Sequence, residues 1–66
     1  MARKMIIMEL NTGKTHQRKI KYDCSIRYGV EGRSRSKIVV RNYNTGKKLQ
    51  TFDVTQYGSV KFWVED

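Results

Sequence analysis

The 66-residue chain contains no proline, one cysteine, one histidine and no apolar run longer than Met5–Met8. Each shortage closes off a class of protein. A single cysteine forbids an internal disulfide. Cys24 falls within an alternating apolar pattern, where a small buried hydrophobe is expected rather than a reactive thiol. Nothing then points to an oxidising compartment. Four apolar residues are far fewer than the roughly 20 that a membrane helix needs, and Arg3-Lys4 before them do not lead into the apolar core of a secretion signal. The expected location is the cytoplasm, with no membrane partner. His16 near a hairpin tip cannot build a metal site with one distant cysteine, and no second histidine exists for a base–nucleophile relay. Adjacent carboxylates occur only as Glu65 and Asp66, and no glycine-rich loop precedes a helix. Neither catalysis nor a cofactor is expected.

Acids are scarce too. Fourteen Lys and Arg face six Asp and Glu, a formal net charge of +8. Residues 32–52 hold six basic side chains and no acid, whereas residues 1–31 carry seven basic and three acidic groups. Such density in so small a domain signals a polyanionic partner more often than a merely solvated surface.

What the chain does have is alternation. From Arg18 to Tyr28, the residues Ile20, Tyr22, Cys24, Ile26 and Tyr28 alternate with Lys19, Lys21, Asp23, Ser25 and Arg27. A strand gathers these five on one dry face, while a helix would scatter them. Eleven extended residues span roughly 36 Å, yet a domain of this size is about 28 Å across. The strand must bend or protrude.

Around it the pattern predicts strands over 4–10, 14–28, 33–43, 47–54 and 59–65, with Thr55–Gly58 a turn or one 3₁₀ turn and no helix of useful length. Three glycine turns, Asn11-Thr12-Gly13, Val30-Glu31-Gly32 and Asn44-Thr45-Gly46, read as three-residue hairpin loops whose glycine takes positive φ. Loops of that length pair even positions with even. The apolar set is even throughout: Ile6, Met8, Leu10, Ile20, Tyr22, Cys24, Ile26, Ile38, Val40, Phe52, Val54, Val60, Phe62 and Val64. The expectation is all-β: one domain over 1–66, a five-stranded antiparallel meander curled into a small barrel with a long bent second strand. The architecture resembles the SH3-like and Sm-like barrels across the whole chain. An open sheet that dimerises, or a second hairpin projecting as an arm, is the alternative. The two Asn-Thr-Gly-Lys copies lie 33 residues apart, but only six of 21 ungapped positions around them match and four of those are the turn. Shared turn chemistry accounts for that, and no solenoid is implied.

The odd positions of the second and third strands then face water. Over 19–27 and 33–43 there are eleven, and seven are cations: Lys19, Lys21, Arg27, Arg33, Arg35, Lys37 and Arg41. A turn at Val30-Glu31-Gly32 sets Arg27 against Arg35 and Lys21 against Arg41. Like charges across a ladder cost stability, whereas closely spaced phosphates would be drawn to them. Lys47 extends the set, and Tyr43 and Trp63 offer rings for stacking on bases, although Trp63 serves packing equally well and Tyr43 beside its loop is more often a packing residue. Solubility and the guarding of exposed strands are the plain uses of such cations. The favoured reading is a nucleic-acid-binding module for DNA or RNA that uses Lys19, Lys21, Arg27, Arg33, Arg35, Lys37, Arg41, Tyr43, Lys47 and Trp63. The alternative is a small regulator docking on an acidic protein, and a homodimer fits either.

Overall fold

A computed structural model describes residues 3–32 and 36–66. It is all-β. Among the described residues there are six strands: β1 (Arg3–Glu9), β2 (Thr15–Ile20), β3 (Ile26–Glu31), β4 (Lys37–Asn42), β5 (Lys48–Asp53) and β6 (Val60–Glu65), with a 3₁₀ turn at Thr55–Tyr57. They form two antiparallel three-stranded sheets, ordered β2-β1-β6 and β3-β4-β5, and no closed barrel. The chain divides into two compact units: residues 1–23 with 57–66, and residues 24–56.

The long second strand is two strands. Pairing stops after Ile20 and resumes at Ile26, and the halves belong to different sheets. The strand that had to bend or protrude breaks instead. Tyr22, in the break, and Tyr28, within β3, are exposed, although both lie on the face read as dry.

The positive φ expected of Gly13, Gly32 and Gly46 is present, at 77°, 90° and 76°. The loops are longer than expected, however. Glu9 N–H donates to Lys14 O and Gly13 N–H to Glu9 O, and the Asn42–Lys47 turn repeats both bonds, all at 2.8 Å. Each loop thus has four residues, led by Leu10 or Tyr43, and a four-residue loop pairs odd positions with even. β1 accordingly sets odd Met5 and Ile7 beside even Arg18, His16, Val64 and Phe62. In β4–β5 a bulge beside Val40/Arg41, with Leu49 the extra residue, returns even to even, so Phe52 opposes Ile38 as the alternation predicted.

The pairings reveal a repeat that an ungapped comparison misses. Counting back from the matching turns, Met5-Ile6-Ile7 and Ile38-Val39-Val40 take the same places in their central strands. Opposite them stand Val64, Trp63 and Phe62 in one sheet, and Val30, Gly29 and Tyr28 in the other. β3, Ile-Arg-Tyr-Gly-Val-Glu, is therefore the counterpart of β6, Val-Lys-Phe-Trp-Val-Glu. The offset is 33 through the turns and 34 afterwards, the Leu49 bulge supplying the extra residue. The eight buried apolar residues form four equivalent pairs: Met5/Ile38, Ile6/Val39, Ile7/Val40 and Ile20/Val54. The described strands thus repeat one three-stranded arrangement, in which the third strand of each half pairs in the other half's sheet. Each central strand is buried on both faces over three residues, which is why odd Met5, Ile7 and Val39 are dry.

Candidate nucleic-acid interface

One face of the sheet β3-β4-β5 carries three rows, each running straight across its strands. Glu31, Lys37 and Asp53 make the first, Gly29, Val39 and Thr51 the second, and Arg27, Arg41 and Lys48 the third. At about 4.8 Å between strands, the third row sets three cations along roughly 10 Å. Arg27 and Lys48 are exposed. The loop after Arg41 adds exposed Lys47 and Tyr43, a residue 66% exposed while its N–H is tied to Ser25 O. The expected like-charge pairs take new partners because Glu31 falls opposite Lys37, so Arg27 faces Arg41 rather than Arg35. Arg33 and Arg35 lie outside the described residues.

Arg41 is committed within the fold. Its Nε donates to Glu31 Oε2 at 2.9 Å, Nη2 to Oε1 at 2.8 Å and Nη1 to Gly46 O at 2.9 Å. All three guanidinium nitrogens are thus engaged and the plane of the group is held. Arg41 is therefore not the fold-dispensable phosphate contact that an opposed like-charge pair suggested. The Arg41 hydrogen bonds hold the Glu31 carboxyl below its ordinary 4.5 against an opposing effect of desolvation, helped by the charges of Arg41, Lys48 and Arg27; the same pairing pushes the guanidinium up. Lys37 is offset by its neighbours, with Glu31 on one side and Asp53 on the other. Thr55 holds Asp53 below its ordinary 3.8 through its hydroxyl and its N–H, the latter at 2.9 Å, and Lys37 adds to this.

The remaining predicted residues fall in the other unit. Lys19 lies in β2, Lys21 follows it, and half-buried Trp63 lies in β6 opposite Ile6, its Nε1 donating to Glu65 Oε2 at 2.7 Å. The sequence placed all ten residues on one face, whereas the break at 21–25 divides the eight described ones between the two units. Lys48 was missed because its outward position depends on the Leu49 bulge; its place in the acid-free run was the available signal.

The repeat supplies an internal control. The counterparts of Arg27, Arg41 and Lys48 are Lys61, Met8 and Thr15, so the row of three cations belongs to one sheet alone. Unit charges agree: residues 24–56 hold seven basic and two acidic residues, net +5, against seven and four, net +3, in the other unit.

His16 is used structurally. Its Nε2 lies 2.6 Å from Glu9 Oε2, its ring stacks on Tyr57 at 4.1 Å between centroids, and Arg18 donates to the Tyr57 hydroxyl. Among the described residues no three His, Cys, Asp or Glu gather as a metal site, and no helix is long and apolar enough to cross a membrane. No protein-family model, curated protein or solved structure matches the chain.

Proposed function

We propose that this protein is a nucleic-acid-binding module without catalytic chemistry, which engages the phosphate backbone on the face of β3-β4-β5 that carries these rows. The observation that carries the reading is the row Arg27, Arg41, Lys48, with Lys47 and Tyr43 beside it. Glu31 offsets only one of the three cations, so the row keeps an excess of positive charge, and the equivalent row of the other sheet holds one cation. Arg27, Lys47 and Lys48 are the phosphate contacts, Arg41 stiffens the row, and Tyr43 offers a ring next to it.

The test is a titration of fluorescent DNA and RNA, single and double stranded, at several salt concentrations. Replacing Arg27 or Lys48 with Gln lowers the slope of log affinity against log salt by about 0.9 for a duplex or about 0.7 for a single strand, with little dependence on sequence. Unchanged affinity in both variants would sink this reading and leave the cations to an acidic protein partner.

A further inference from the structure

The repeat points to a base-binding recess. In the sheet β2-β1-β6, the indole of Trp63 lies opposite Ile6 and its N–H reaches Glu65. The same place in β3-β4-β5 belongs to Gly29, opposite Val39, with Glu31 standing where Glu65 stands. The ring is missing while the carboxylate that would receive its N–H is kept. A recess of about 200 Å³ lies there, lined by Arg27, Tyr28, Gly29, Glu31, Val39 and Arg41 among others. A side chain built at Gly29 would meet no atom within 4 Å at its first carbon. Glycine within a strand marks a bulge, a bend, or close approach by another backbone or a ligand; the register through Gly29 is unbroken, its φ is not positive and no backbone lies within 4 Å of a first side-chain carbon built there, which leaves a ligand.

We infer that this recess receives one unpaired nucleobase, which makes the ligand a single-stranded nucleic acid; the inference rests on the backbone reading proposed above. The volume equals that of roughly six or seven waters at about 30 Å³ each, enough for a one-ring or two-ring base. Three chemical features fit. Arg41, held flat by three hydrogen bonds, offers a planar cation on which a base stacks, a better use of a group whose nitrogens are already engaged. Each Glu31 oxygen accepts one hydrogen from Arg41 and keeps lone-pair capacity for an N–H on the base edge, as Glu65 accepts from Trp63. Arg27, across from Arg41, stands where the phosphate attached to that base would be neutralised. A paired base is not available to such a recess, so duplex engages the cations without it.

The experiment compares three probes on the full chain: a short single strand of mixed sequence, the same strand with abasic sugars throughout, and the duplex. DNA and RNA versions form separate arms. The expected result is about tenfold tighter binding to the base-bearing strand than to the abasic one, at equal salt slope. Gly29→Trp, which installs the counterpart residue, lowers that preference to what the Tyr43 ring alone supplies and leaves duplex affinity unchanged. Amide shifts of Gly29 and Val30 in the unmodified protein should follow the base-bearing strand and not the abasic one, which keeps the test decisive if the variant does not fold. Equal affinity for both single strands, or a preference undiminished by Gly29→Trp in a folded variant, overturns the recess while leaving the backbone reading intact. Failure to bind any probe at low salt overturns both.

Discussion

At the residue scale, chemical type alone does not assign a role. Arg27 and Arg41 are both arginines opposite one another, yet one is exposed and the other is held by three hydrogen bonds. Arg27→Gln should leave the urea midpoint unchanged or slightly raised, because it removes a cross-strand repulsion. Arg41→Gln should lower it, because Glu31 and the Gly46 carbonyl lose their donor. The pH dependence follows from the carboxylates. Glu31 and Asp53 both have folded pKa values below their ordinary 4.5 and 3.8. Their contribution is fully present above those ordinary values and fades as pH falls through the lower folded ones. The difference in midpoint between the parent and Glu31→Gln should accordingly be present at pH 7 and shrink below about pH 4. A difference constant with pH would show that the Arg41–Glu31 pair contributes no charge-dependent stability.

At the element scale, turns and a bulge decide which faces are dry. Gly46 sits at φ 76°, so Gly46→Ala should cost about 1 kcal/mol, whereas Gly29 has no positive φ and open space beside it, so Gly29→Ala should stabilise by roughly 0.5–1 kcal/mol. Chemical denaturation of both variants checks the opposite signs. Leu49 is the extra residue of the bulge, and the other hairpin shows that the ladder closes without one. Deleting Leu49 should therefore leave Arg41 opposite Lys48 and Val40 opposite Gln50, with the chain still folded; a collapsed amide spectrum would refute the equivalence of the hairpins.

At the scale of the whole molecule, the repeat makes the halves interdependent. Each half builds a hairpin and lends its third strand to the other half's sheet, and an isolated two-stranded hairpin is marginal in water. Fragments 1–33 and 34–66 should each be largely unfolded as monomers by circular dichroism and should recover strand signal on mixing. A fragment that folds alone as a monomer would contradict the exchange of third strands. The paired core positions give a second check: Met5→Ala and Ile38→Ala remove equivalent fully buried side chains, and each should cost roughly 2–5 kcal/mol, much of the stability of so small a domain.

Much of this was legible in the residues. Period-two alternation determined that the chain is all-β. The glycine turns determined where it reverses, because only glycine takes positive φ without strain. The acid-free run located the cations. What only the tertiary structure decided was which strands share a sheet and which way each face turns. Alternation across Arg18–Tyr28 is the same whether the strand bends or breaks, since local pattern carries no information about partners. One residue of loop length, or one bulge, reverses a face without disturbing the alternation of either strand. The repeat stayed hidden for the same reason: the Leu49 bulge shifts the offset from 33 to 34, and the likeness of β3 to β6 lies in side-chain chemistry more than in identity. Gly29 reads as one glycine among five in the sequence; only its register against Trp63 shows it as the place of a missing ring.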